Sequence, residues 1–428
     1  MVSPDLRVSK EERTRAKSRI HTLLEPDSSA QAMDPWIVCA ALALACLGLV
    51  MVYSSSAWIA QAKYQSWEYY GHRQSVFFMM GVAVMFGISR IDYRIFRRLS
   101  PIMMLVSIVL LLSVLWFGRE INGAKRWLAV GGVGFQPSEL AKLALTCFLA
   151  TMLAQRGEQV RSFIRGFLPI TGASAITMGL VIWGRDLGTT VLLGALTLIM
   201  MFVAGTRVSF LVATVLGGIL LLWWGIIHVQ YRLDRLLDFF ANGEYQVNQG
   251  LIAIGSGGMW GLGLGQGRQK LGFLPENHTD FIFATLGEEL GYAGILLVLG
   301  LYCLLIWRGA LAAYAASDRF GAYLACGITM MIALQALFNM AVVLRMVPTK
   351  GITLPFLSSG GSSLLSALMS VGILLAISRN PALNPCSDPR GRTPRWQWPG
   401  VRNSQWWKKM TEPRTANKKN RRRAHEFD

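Results

Sequence analysis

The chain has 428 residues, of which 53% are hydrophobic and only 15% charged, and its net charge is +18. Soluble domains carry roughly 25% charged residues, so a chain this long with so few excludes a soluble globular protein. The cysteines at 39, 46, 147, 303, 326 and 386 form no CxxC pair, which gives no support to a zinc site or a disulfide framework.

The apolar residues come in blocks rather than in stripes. Trp36 to Tyr53 and Ile102 to Gly118 contain no charge, and about 18 apolar residues suffice to span a bilayer as a helix. Lipid offers backbone groups no partners, so such runs are helices. The expected fold is therefore all-α, polytopic and membrane-embedded, with about ten transmembrane helices. In chain order the spans fall at 33–53, 75–89, 102–117, 138–154, 167–183, 187–205, 208–228, 281–307, 321–344 and 363–378. A polar tail, 1–32, precedes them without a visible cleavable signal. The membrane domain occupies 33–380, and a tail at 381–428 carries the basic run from Lys418 to Arg423.

Charge orients the spans. With both termini cytoplasmic, the inner segments hold 29 Lys and Arg against 12 in the outer ones, as the positive-inside rule asks. The tails supply the difference. Arg73, Arg126, Arg185, Arg268, Arg345 and Lys350 then lie outside. Each is open to plain interfacial snorkelling, but as a set they make a surface that receives an anion. The basic C-terminal run is expected to touch anionic membrane lipid, not nucleic acid.

Glu139 and Lys142 stand three apart on the fourth span and share a helix face. A structural ion pair and a substrate contact are both open to them. The longest non-spanning segment runs from 229 to 280, a large external loop between spans seven and eight. Leu233, Leu236, Leu237 and Phe240 fall on one face of a helix lying along the interface. From Ile254 to Gly267 the loop is rich in glycine. No βαβ unit surrounds it, so it is not a nucleotide loop; a re-entrant or surface-hugging course is expected. Asp280 stands where this loop becomes the eighth span, with Glu276 and His278 in the same turn and Glu288 two turns on. A carboxylate there can serve as a helix cap, but intramembrane ionisable residues point first to function. A second unusual loop, Val347 to Ser363, joins two prolines to glycines and hydroxyls.

Taken in order, NGAKRW, QPSELAK, DLGT, YQ followed by LIAIGSGG, GLGQG, PENHTDFIF, GEELG, and PTKGITLPF followed by GGSS resemble the motifs of the SEDS proteins (shape, elongation, division and sporulation). Those proteins polymerise bacterial cell-wall glycan from lipid II. The resemblance covers 33–380, and Pro348 to Gly351 with the long N-terminal tail resembles the division-site branch more than the elongation branch. Gly184 and Arg185 stand where the family commonly has Gln-Pro, and Ser359 where it commonly has tyrosine.

The resemblance implies an inverting transfer on the outer face of the bacterial cytoplasmic membrane. An acceptor hydroxyl attacks the donor's anomeric carbon, Asp280 acts as general base, and undecaprenyl pyrophosphate leaves. Arg73, Arg126 and Lys350 are expected to neutralise that leaving group; Glu139, Lys142, His278 and Glu288 complete the expected substrate-binding set. No metal-ligand cluster is legible, although a divalent cation (Mg or Mn) would suit the same task. Implied partners are lipid II, a class B penicillin-binding protein transpeptidase and other divisome membrane proteins at the septum. A lipid II flippase, an elongation-type polymerase and a non-catalytic scaffold remain competing functions.

Overall fold

Every apolar block forms a helix, since only bonding within the helix satisfies a backbone that lipid leaves without partners. A computed structural model describes residues 33–379 apart from 122–123, 131–132, 229–232, 234–236, 238, 241–243 and 350. The helices are α1 (Pro35–Tyr64), α2 (Tyr69–Ser89), α3 (Arg94–Phe117), α4 (Pro137–Arg156), α5 (Leu168–Trp183), α6 (Leu187–Val203) and α7 (Val208–Ile227). After them come α8 (Tyr245–Ser256), α9 (Ile282–Ala315), α10 (Arg319–Val343) and α11 (Gly361–Ser378). A helix lies at each of the ten predicted span positions. Among the described residues, eight are long and apolar enough to cross a membrane, whereas α6 is apolar but shorter and α2 opens on a polar turn. The chain is a multi-pass membrane protein.

Local signals set the helix starts. Asp34 caps α1 by accepting from the Trp36 amide at 3.0 Å, with Pro35 in the first turn. Asp186 caps α6 through the Thr189 amide at 3.1 Å, and Asp318 caps α10 through Gly321 at 3.2 Å. At the end of the bundle away from Asp280, Asp34 also pairs with Arg308, and the Tyr93 hydroxyl donates to Asp318.

Three departures from the sequence expectations matter. The fold is not purely α: β1 (Arg119–Ile121), β2 (Ala124–Val130) and β3 (Val133–Phe135) make a small antiparallel sheet between α3 and α4, with Leu128 opposite Phe135. Two of its strands have only three residues, and β2 (AKRWLAV) does not alternate apolar with polar residues. Second, α1 runs well past residue 53, to Tyr64, so its last turns project beyond the apolar block. Third, α9 is broken at Gly291, whose φ of +66° no helix contains. The expected interfacial helix at 231–240 lies largely outside the described residues.

The interior is built from α4, α10 and α11, most of whose length is buried. Helix α11 packs chiefly on α2, α3 on α4, and α9 on α10 and α1. By contrast α7 packs mainly on α6 and leaves Leu220, Leu221, Trp223 and Trp224 exposed, as a lipid-facing helix would.

Candidate active site

The glycine-rich segment anchors the site. It lies against the break in α9: the amides of Leu262 and Gly263 donate to the carbonyls of Glu288 and Glu289 at 3.0 Å each, and Tyr292 donates back to the Gly258 carbonyl at 2.9 Å. Only glycine allows so close an approach. A Cβ on Gly261 would sit 2.1 Å from the Glu289 carbonyl oxygen, at a φ of +79°. The two carboxylates of the GEELG turn are buried here as well. Glu288 accepts from the Arg268 amide at 2.7 Å, and Glu289 accepts from Gly265 at 3.1 Å, Ser54 of α1 at 2.7 Å and the Lys270 ammonium at 2.7 Å. Glu288 therefore faces the glycine segment and holds its backbone through the Arg268 and Gln269 amides.

From that anchor the chain turns into the Asp280 loop. Asn277, fully buried, donates to the Lys270 carbonyl, and Gln246 of α8 donates to the Pro275 carbonyl at 3.0 Å. Glu276 holds a positive φ of +52°, a strained conformation of the kind that gathers at functional sites. The loop is then clamped to the segment 352–360. The Ser359 amide donates to the His278 carbonyl at 2.9 Å, and the Ser358 hydroxyl to the Thr279 carbonyl at 2.6 Å. Asn339 of α10 donates to the Asp280 carbonyl at 2.8 Å and to the Ile352 carbonyl at 2.7 Å. One buried amide thus fixes both loops.

Asp280 is partly exposed as a residue, but its carboxyl is enclosed and faces Arg126 of β2 and Asp186. Gly351 makes room between them: a Cβ there would lie 3.0 Å from Asp280 Oδ2 and 3.7 Å from Arg126 Nη1. Arg126 reaches the Asp186 carboxylate at 3.9 Å and donates to the Arg185 carbonyl, while its buried Nε has no partner. Burial raises the Asp280 pKa from 3.8 to about 7; Glu276 and Asp186 push the same way and Arg126 opposes them. Burial also lowers the His278 pKa. Such a carboxylate is a base near neutral pH beside a guanidinium with bonding capacity to spare. Beside Arg126 and Asp186 opens a pocket lined mostly by apolar side chains, among them Leu111, Val114, Leu180 and Val181, with Ser138 at its wall.

The remaining candidates are distributed around this centre. Glu139 and Lys142 are both buried and pair at 2.9 Å, and Lys142 donates to Gln335 at 2.6 Å. Gln335 in turn donates to the Thr353 carbonyl at 3.0 Å, so the pair connects α4 to the 347–363 loop. Arg73 lies over the Phe77 ring at 6.0 Å on α2. His278 contacts Tyr70, ring to ring, at 5.2 Å and bonds Asn277 at 3.2 Å. Lys350 lies outside the described residues. Among the described residues no three His, Cys, Asp or Glu side chains group as metal ligands. With Arg126 between Asp186 and Asp280, the donor set does not fit a protein-held divalent ion. Sequence reasoning missed Asp186, Asn339 and Gly351 as site residues. The DLGT and PTKG motifs signalled two of them; Asn339, a lone amide in an apolar helix, carried the in-span polar signal.

Comparison with known proteins identifies the chain's relatives. The family model for cell cycle proteins of the FtsW, RodA and SpoVE type matches residues 35–382. The chain is 40% identical over 352 residues to a probable peptidoglycan glycosyltransferase FtsW of Trichlorobacter lovleyi, covering 80% of this chain and 92% of that one. It is 41% identical over 354 residues to stage V sporulation protein E of Bacillus subtilis, covering 81% and 97%. Among solved structures, a chain of a peptidoglycan synthase complex that coordinates polymerization and crosslinking superimposes with a TM-score of 0.69 at 29% identity, over 81% of this chain and 98% of that one. The rod shape determining protein RodA of Thermus thermophilus gives 0.61 at 28%, over 82% and 99%.

Proposed function

The chain belongs to the FtsW, RodA and SpoVE family of cell cycle proteins, and on that premise we propose that it is a peptidoglycan glycosyltransferase of the inner membrane. It polymerises lipid II into β-1,4-linked glycan during septal wall synthesis. The observation that carries this is the Asp280 carboxyl, raised to about 7 and facing the Arg126 guanidinium. The Asp280 carboxylate takes the proton of the acceptor hydroxyl as its oxygen attacks the donor's anomeric carbon. The new glycosidic C–O bond forms while the bond to the pyrophosphate oxygen breaks, with inversion. The proton passes from Asp280 to water. Arg126, with its unpartnered Nε, stabilises the charge developing on the leaving pyrophosphate. The apolar pocket beside it suits the first isoprene units of the lipid, and Gly351 leaves the acceptor room.

In this scheme Glu139 and Lys142 act through Gln335 on the 347–363 loop, and His278 orients the Asp280 turn. Ten spans with both termini cytoplasmic place the Asp280 loop outside, where lipid-linked sugar is delivered. A class B transpeptidase is the fitting partner, since the complex whose chain this one resembles coordinates polymerization and crosslinking.

Transport is less well supported. Between the two ends of the bundle the buried polar groups include hydroxyls such as Thr146, Thr151, Ser174 and Thr197, each bonded to its own helix backbone. These offer no path for a pyrophosphate.

The deciding experiment is incubation of the purified chain with lipid II, followed by separation of the glycan products. Wild-type protein should yield polymer and Asp280→Asn none, with lipid II binding retained; loss of general-base assistance costs about 10²- to 10⁴-fold. Near-normal polymer from Asp280→Asn would refute the role given to this carboxylate.

A further inference from the structure

Resting on the polymerase function above, we propose that the tyrosines where α1 meets α2 form a platform on which the growing glycan strand stacks, a subsite distinct from the point of bond formation. Tyr64 ends α1, while Tyr69 and Tyr70 begin α2. The Tyr64 and Tyr69 rings stack at 4.0 Å with an interplanar angle of 17°, and Tyr70 closes on both edge-on, at 5.9 and 5.4 Å. Tyr64 and Tyr69 nevertheless remain 41% and 39% exposed, and Trp67 in the connecting turn 63%.

Aromatic residues are common at membrane interfaces because their rings are amphipathic. That accounts for tyrosine here but not for three rings assembled on one another and led toward the reactive carboxyl. Tyr70 contacts the His278 ring at 5.2 Å. His278 is two residues from Asp280, at most about 7 Å of chain. The cluster therefore begins at the edge of the active site and leads away from it, along the projecting end of α1.

The chemistry of the surface selects the ligand. Aromatic faces carry negative quadrupoles, which attract the C–H faces of pyranose rings, and tyrosine hydroxyls can bond sugar hydroxyls and amides. Of the nearby cations, Lys63 lies over Tyr64 at 5.5 Å, while Arg73, whose charge is also felt at Tyr70, lies over the Phe77 ring. A pyrophosphate would demand more charge than this; an uncharged saccharide backbone would not. A strand held here stays near Asp280 between additions, so the platform sets how many sugars are added before release.

The test uses full-length protein in lipid nanodiscs with lipid II, reading glycan length on gels. Tyr64→Leu and Tyr69→Leu keep apolar bulk at the interface but remove the faces, and should shorten the mean strand several-fold. Tyr64→Phe keeps the ring and should restore most of the length. Trp58→Leu, an exposed aromatic earlier on α1, should match the wild type. Unchanged strand length in both leucine variants would overturn the platform while leaving the polymerase function standing. Loss of even the first coupling would also overturn it, since the cluster would then be needed for the fold or the bond-forming site. Inactive wild-type protein would sink both proposals.

Discussion

At the scale of single residues, the proposed base, Asp280, should set the pH behaviour of the protein. On the proposed mechanism its base form is the active one, so polymerisation should rise with pH through about 7 and level off above it. Arg126 lowers this pKa and Glu276 raises it. Arg126→Ala should therefore move the rising limb to higher pH, beyond its loss in rate, and Glu276→Gln should move it lower. Initial rates measured across pH on each variant check both signs. The same shift bears on stability. A folded-state value raised above 3.8 means that the unfolded chain gives up this proton first as pH rises. Stability contributed by Asp280 is present below the unfolded value and lost as pH climbs to about 7. Asp280→Asn, though inactive, should melt no lower than the wild type at pH 8. A clearly lower melting temperature would show that the carboxylate is structural. Asp280 was legible in the sequence because an acidic residue at a span edge stands out against apolar neighbours. Asp186 was not, because it lies 94 residues away and its approach through Arg126 depends on where β2, packed on α3 and α4, carries that side chain.

Elements behave differently, because here backbone geometry decides. The Glu139–Lys142 pair is buried, and removing one partner leaves the other charge without its counter-ion, which typically costs 3–5 kcal/mol. Each single alanine variant should therefore be harmed more than simple loss of a contact predicts. The double variant should be clearly less than additive in melting temperature and in polymer yield; strict additivity would separate the two residues. Glycines in the docked loop make a second test. Gly261→Ala meets the Glu289 carbonyl at 2.1 Å and should abolish polymer with a marked drop in melting temperature. Gly258→Ala, also at positive φ but with open space around it, should lose only about 1–2 kcal/mol. Equal effects would mean that strain alone matters and that the docking does not. Hydropathy located the spans well, because a run long enough for lipid is visible without any partner. It did not reveal the sheet, the projecting turns of α1 or the break at Gly291. Those depend on contacts between distant segments, and the glycine motif signalled only that some close approach occurs.

For the whole molecule, the arrangement of charge about the bundle predicts its orientation. Reporter fusions at Asn248 and at the C-terminus should report opposite sides of the membrane, and the same side for both would refute the ten-span map. A tagged copy should gather at midcell and co-purify with a class B transpeptidase; even distribution along the side wall would point to elongation. The buried knot of Lys270, Glu289 and Ser54 also has a consequence for how the chain is made. Lys270 and Glu289 are 19 residues apart, whereas Ser54 lies 235 residues from Glu289. Near contacts close sooner and with less loss of chain entropy than remote ones. The glycine segment and the start of α9 should therefore assemble during synthesis as a self-contained hairpin, long after α1 has entered the bilayer. Glu289 then reaches its place already matched to an ammonium, sparing the insertion machinery a bare carboxylate. The serine hydroxyl of the first helix is the latch that closes last.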